Sequence, residues 1–241
     1  MTYCFDLDNT LCASPSSKKY EEAVPYTSVI KYVNGLFDAG HSIKIFTARG
    51  SGSGINWHKT TVSQLKKWEV KYDELIDKGK PHYDLLVDDK AQNAYDWRKE
   101  NSVTVTGFVA GAFDLLHAGH CLFLKEAKTV CDYLYAGLQI DPSAEAPTKR
   151  TLRQRKNSPV QSLEERKIQL EATSYVNEII IYETEKQLFN ILKRLNPDIR
   201  ILGSDYRGKK ATGQEFSSGV IYHERNHDWS SSELRKRLSG N

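Results

Sequence analysis

Gly111-Ala112-Phe113-Asp114-Leu115-Leu116-His117-Ala118-Gly119-His120 is the stretch on which the reading of this chain turns. The apolar run 103–109 precedes it and a helical-looking stretch from Ala118 follows, so the context is strand, tight loop and helix N-terminus. Such a terminus presents unpaired N–H groups and a partial positive charge, which together bind phosphate. Gly111 and Gly119 would let the backbone approach a phosphate closely. His117 and His120 would donate hydrogen bonds to a phosphate whose charge grows during reaction. A lone His-x-Gly-His is ordinarily a polar turn; the ten-residue pattern in this setting is far more specific.

Outward from this loop, strands alternate with helices. Strands are predicted near 103–109, 133–140, 176–182, 198–203 and 219–223, and helices near 118–130, 162–173, 184–195 and 230–238. Upstream, a first pass has strands at Tyr3–Leu7, Ser42–Phe46 and Tyr83–Val87. Its helices begin at Pro25, run from Trp57 to Trp68, and close over Ala91–Arg98. This alternation implies parallel sheets covered on both faces. The polar stretch Arg98–Ser102 divides the chain into units 1–101 and 102–241, about 100 and 140 residues, each long enough for its own core.

Composition narrows the partners. With 34 basic and 31 acidic residues the net charge is only +3, which gives no general attraction to nucleic acid or membrane. Cys4, Cys12, Cys121 and Cys131 show neither a Cys-x-x-Cys pair nor zinc spacing, so reduced thiols and a cytoplasmic setting are expected. No apolar run approaches the length of a membrane span. The one biased segment is 147–157, with Lys149, Arg150, Arg153, Arg155 and Lys156. It reads either as a solvated basic loop or as a loop that closes over a polyphosphate, and aromatic residues do not interleave with it as in nucleic-acid binders.

In the first unit, Asp6-Leu7-Asp8-Asn9-Thr10 follows the first strand, Phe46-Thr47-Ala48-Arg49 ends the second, Lys80 precedes the third and Asp88-Asp89 ends it. A parallel sheet gathers these strand ends into one crevice. Carboxylates there can hold Mg²⁺, attack phosphorus and exchange protons with the leaving oxygen and water, while a lysine and a hydroxyl bind the phosphoryl group. The set resembles the haloacid dehalogenase superfamily over residues 3–98. That resemblance implies Asp6 as nucleophile, Asp8 as general acid/base, Thr47 and Lys80 on phosphate, and Asp6, Asp8, Asp88 and Asp89 around Mg²⁺. The motif spacing leaves no room for a large cap domain; Ser51-Gly52-Ser53-Gly54 reads as a flap or a plain loop.

The loop at 111–120 has distant partners. Glu164-Glu165-Arg166 starts a helix after the basic segment. Gly203-Ser204-Asp205-Tyr206-Arg207 follows a strand, and Arg225 precedes Trp229-Ser230-Ser231-Ser232 at a helix start. Serines there are helix caps by default. With the opening signature, the pattern resembles the cytidylyltransferase family of nucleotidyltransferases, most closely its glycerol-3-phosphate branch, over residues 103–238.

The resemblance implies His117 and His120 as catalytic. It implies Gly111, Phe113, Asp114, Gly119, Arg166, Arg225, Ser230, Ser231 and Ser232 as nucleotide or phosphate ligands, Asp114 orienting loop or substrate. It further implies Mg²⁺ on the triphosphate and a homodimer through this unit. The expected fold is α/β with two Rossmann-like parallel-sheet domains. The expected function is CMP transfer from CTP to a small phosphorylated polyol or sugar, releasing pyrophosphate, beside Mg²⁺-dependent phosphomonoester hydrolysis. Two readings stand beside it: a sugar-bisphosphate phosphatase fused to an ADP-heptose-type adenylyltransferase that uses ATP, and a nucleotide-binding regulatory protein with little chemistry.

Overall fold

The computed structural model describes residues 1–14, 19–80, 90–144 and 157–239. The expected strand at 83–87, Asp88, Asp89 and the basic residues 149–156 lie outside the described residues. The chain divides into compact units Met1–Val105 and Thr106–Asn241, close to the division expected at 101/102.

The first unit contains β1 (Thr2–Asp6), β2 (Cys12–Ala13), β3 (Val24–Pro25), α1 (Thr27–Asp38), β4 (Ser42–Phe46), α2 (His58–Lys67), β5 (Glu74–Ile76) and α3 (Ala94–Glu100). β1, β4 and β5 form a parallel sheet in that spatial order. Asp6 pairs with Phe46, so the acid loop and the Thr47 turn leave the same edge. Pro25 does not open a helix as expected: it pairs with Cys12 in the antiparallel β2–β3 pair, and α1 starts two residues later. α1 buries Val29, Ile30 and Val33, and Gly40 ends it at φ +85°. β5 was not legible as a strand; three residues in a charged stretch carry no period.

The second unit contains β6 (Thr106–Gly111), α4 (Ala118–Thr129), β7 (Tyr133–Gln139), α5 (Leu163–Glu171), β8 (Glu178–Tyr182), α6 (Glu185–Leu195), β9 (Ile199–Gly203), β10 (Gly219–His223) and α7 (Ser231–Ser239). Its strands form one parallel sheet in the order β10-β9-β6-β7-β8. The chain winds outward from β6 through β7 and β8, then returns to β9 and β10 on the other side. The reversal lies between β6 and β9, the place where open α/β sheets bind ligands.

Local signals agree with this architecture. Ser162 and Glu165 make a reciprocal capping box at α5. Thr184 caps α6, and Asn196 closes that helix in the left-handed region at φ 45°. The apolar stripe of α6 buries Leu188 and Leu192 against Phe108 and Tyr182. Among the described residues no helix is long and apolar enough to cross a membrane, and all four cysteines are free thiols.

Candidate active site

The β6–α4 loop departs from ordinary backbone in two places: Phe113 and Leu115 both have positive φ, 48° and 51°. Side chains seldom occupy that region without compensation from their surroundings. Here Asp114 supplies it. Its carboxylate accepts hydrogen bonds from the backbone N–H groups of Val160 (3.0 Å) and Gln161 (3.0 Å) and from Arg235 Nη2 at 2.5 Å. Burial opposes the charge on Asp114, but these donors outweigh it and hold the carboxyl below its usual range. Asp114 therefore braces the loop through these bonds.

His117 is the residue before α4, and His120 follows in its first turn. Their rings stack with centroids 3.9 Å apart and planes 22° from parallel, and the Phe113 ring lies 5.5 Å from that of His120. Ser231 Oγ donates to the Asp114 carbonyl (3.1 Å) and lies 3.3 Å from His117 Nε2. Which of the two donates across the Ser231–His117 contact depends on which ring nitrogen carries the proton. Burial, then the charge of Arg225, lowers the His117 pKa. Burial, followed by His117 and Arg225, pushes His120 down to about 3. Two uncharged imidazoles stack without repulsion, and their Nδ1 atoms have no partner among the described residues.

These groups line one cavity of about 650 Å³. Gly111, Phe113, Asp114, His117, Gly119, His120, Arg225 and Ser230–Ser232 all border it. Ser230 Oγ accepts the Glu233 N–H at 3.1 Å and caps α7, while Ser231 and Ser232 occupy the first turn.

One expectation, that for Arg166, needs correction. Arg166, expected on phosphate, is 2% exposed and does not line the cavity. Among the described residues its guanidinium donates only to carbonyls: Gln161, Ser162, Ala112 (2.9 Å), Gln139 (2.7 Å) and Ile140 (2.6 Å). It is a positioning residue joining the ends of β6 and β7 to α5. Gly119, which borders the cavity, is also required by packing: a Cβ there would sit 2.8 Å from both the His227 ring and the Trp229 carbonyl. Gly111 has room for a Cβ, whose nearest neighbour would be the Phe113 ring at 3.5 Å.

Among the cavity residues that sequence reasoning missed are Gln139, Arg200, His223 and His227. His223 pairs through Nδ1 with Glu126 of α4. His227 stacks on Trp229 at 5.0 Å with both ring nitrogens unpartnered among the described residues. The run His223-Glu224-Arg225-Asn226-His227 was the available signal, two histidines flanking the expected arginine.

The first unit has its own polar cluster. Lys80 Nζ lies 2.9 Å from Asp6 Oδ1 and donates to the Phe46 carbonyl at 3.3 Å. The Arg49 guanidinium forks onto Asp8, Nε at 2.9 Å from Oδ2 and Nη2 at 2.7 Å from Oδ1. Arg49 also donates to Gln64 at 2.6 Å, and its role was not anticipated. Thr47 is buried, its hydroxyl accepting the Arg49 N–H at 3.2 Å. The segment from Ser51 is a hydrogen-bonded turn rather than a free flap, with Ser51 Oγ donating to the Lys80 carbonyl at 2.9 Å. Among the described residues no group of three or more metal-ligating side chains forms, and Asp88 and Asp89 lie outside them.

Comparison with known proteins bears on the second unit. The chain is 36% identical over 121 residues to the bifunctional protein HldE of Campylobacter fetus, a match covering 49% of this chain and 24% of that protein. It is 31% identical over 163 residues to HldE of Wolinella succinogenes, covering 67% of this chain and 32% of that one. The chain thus spans between a quarter and a third of the length of these curated relatives. A solved lipopolysaccharide core biosynthesis protein from Thermoplasma volcanium aligns at 23% identity with a TM-score of 0.42, covering 52% of this chain and 99% of that one. The cytidylyltransferase-like family model matches residues 108–237, which takes in the histidine loop, Arg225 and the serine run. The chain belongs to the cytidylyltransferase-like family.

Proposed function

We propose that the second unit transfers CMP from CTP to the phosphate of a small polyol or sugar, with glycerol 3-phosphate as the type of acceptor. The observation that carries this reading is the meeting of the stacked His117 and His120, Arg225 and the α7 N-terminus in one cavity at the sheet's reversal point. An acceptor phosphate oxygen attacks the α-phosphorus, a new P–O bond forms, the bond to the β-phosphate bridge breaks, and pyrophosphate leaves. No protein nucleophile is needed, so catalysis is positioning and stabilisation of charge on phosphate oxygens. His117 and His120 serve the α/β region as hydrogen-bond donors. Ser231, Ser232 and the first turn of α7 cradle the outer phosphates, and Arg225 neutralises charge. Mg²⁺ would accompany the triphosphate and share its charge.

The first unit we read as a Mg²⁺-dependent phosphomonoesterase of the haloacid dehalogenase type, with Asp6 as nucleophile, Asp8 as acid/base, and Lys80 and Thr47 on the phosphoryl group. The Lys80–Asp6 contact and the placement of Asp6 and Thr47 at neighbouring strand ends support this reading. The described carboxylates alone do not form a Mg²⁺ shell: Asp6 faces Lys80 and Asp8 faces Arg49. Asp88 and Asp89 would have to complete it.

Pyrophosphate release from CTP or ATP with a panel of polyol and sugar phosphates tests the transferase. CTP turnover with a polyol phosphate is the expected result. Turnover restricted to ATP with a sugar 1-phosphate would replace it with the adenylyl reading. Nucleotide binding without pyrophosphate release from any acceptor would leave a regulatory binding protein.

A further inference from the structure

One buried charge on the cavity wall is not used by the triphosphate reading. Arg200 of β9 is 2% exposed, and its guanidinium sits over the Phe108 ring, 4.9 Å from the centroid. Among the described residues it donates from Nη1 to the Phe108 carbonyl at 3.2 Å, and its Nε–H has no partner. Other arginines differ. Arg49, Arg207 and Arg235 each meet a carboxylate, and the equally buried Arg166 is surrounded by carbonyls. Tyr182, Tyr206 and Glu185 offset part of the cost of its burial through space, and an anion arriving at the guanidinium would offset more.

A second donor stands on the same face. Gln139 ends β7 at 1% exposure with its amide Nε2 unpartnered among the described residues. A Cβ at Gly137 would meet the rings of Phe108 and Tyr182 at 3.0 and 3.2 Å, which places Gly137, and Gln139 two residues on, on the Phe108 side of the sheet. Arg200 pairs with Phe108, three residues before Gly111, so its Cα lies about 10 Å below the start of the histidine loop at the strand rise. Both donors line the cavity. Lys210 adds a cation to this wall; Glu185 and Asp205 carry the opposite sign, and Glu185 accepts the Thr212 hydroxyl.

We propose that Arg200, with Gln139 nearer the mouth, forms a second anion subsite that takes a phosphate or carboxylate carried by the acceptor at the end remote from its reacting phosphate. This rests on the transferase reading and refines its substrate class: among small phosphorylated acceptors, those with a second acidic group are favoured. The depth of Arg200 below the histidine loop is on the scale of a short phosphorylated carbon chain, so one ligand can reach both.

Calorimetry on the full chain, with nucleotide present, tests it by comparing glycerol 3-phosphate with phosphoglycerate and with a hexose bisphosphate. The two diacids separate a carboxylate from a phosphate as the favoured group. Wild type should bind at least one diacid more tightly than glycerol 3-phosphate. Arg200→Met should weaken that binding about 10- to 100-fold, as expected for a lost charge-assisted hydrogen bond, and leave glycerol 3-phosphate within about twofold. Arg200→Lys should restore part of the loss. The ligand-free melting temperature of Arg200→Met should be equal to or above wild type, because a buried and only partly compensated cation has gone.

No preference of the wild type for either diacid would overturn the subsite, as would equal losses for all three ligands or a destabilised variant with diacid binding intact. Nucleotide binding is read separately on the wild type. Its failure would sink the transferase reading, while the diacid titrations still decide the role of Arg200.

Discussion

His120 is kept uncharged by its surroundings, burial first and the neighbouring His117 and Arg225 after it. Its folded pKa of about 3 lies below the ordinary 6.5, so below 6.5 the unfolded chain takes up a proton that the folded chain refuses. Stability from this residue is therefore fully present above pH 6.5 and falls as the pH drops toward 3. His120→Gln should flatten that part of the acid limb in urea melts taken from pH 7 to pH 4; an unchanged limb would refute the burial argument. Arg166 makes a different prediction. Lysine keeps the charge but has three donors on one nitrogen and cannot span the ends of β6, β7 and α5. Arg166→Lys should lower stability by about 1–3 kcal/mol, the range for unsatisfied buried groups. A ligand role would instead raise the nucleotide Kd with stability unchanged.

The two neighbouring serines at the start of α7 separate the work of an element from the work of a site. Ser230 caps the helix, while Ser231 reaches back to the Asp114 carbonyl and His117. Ser230→Ala should cost about 1 kcal/mol of stability, the usual loss at a cap. Ser231→Ala should cost less stability and more turnover, because it removes the contact that holds the His117 ring; equal effects of the two changes on kcat would contradict this division. Elements of this kind were legible beforehand to different degrees. β7, β9, β10, α4, α5 and α6 follow their expected spans closely, since each carries its own apolar period and, at α5 and α6, a cap. β5 and the start of α1 were not legible. A three-residue strand is defined by its neighbour β4 rather than by its own pattern, and Pro25 suits an edge pair as well as a helix start.

Across the whole chain, the legible part of each site is what sits on a loop at a strand's carboxyl end. His117, His120, Arg225 and Ser231 could be named from the sequence because loop residues there face the crevice whatever the details of packing. Arg200 and Gln139 could not. Within a strand a polar residue reads as an interruption of the core, and only the register shows that the cavity reaches it. Arg49 was hidden differently: it lies beside Thr47 in sequence, but its contact with Asp8 crosses 41 positions. If each unit works as proposed, its own residues carry its activity, so the two activities should be removable one at a time. Asp6→Asn should abolish hydrolysis of a generic aryl phosphate while pyrophosphate release with nucleotide and acceptor stays within about twofold, since a carboxylate-to-amide change is nearly isosteric and distant surface changes rarely propagate. His117→Ala should do the reverse. Measured side by side in the presence and absence of EDTA, loss of both activities in either single variant would mean one shared catalytic centre and would refute the division of labour between the units.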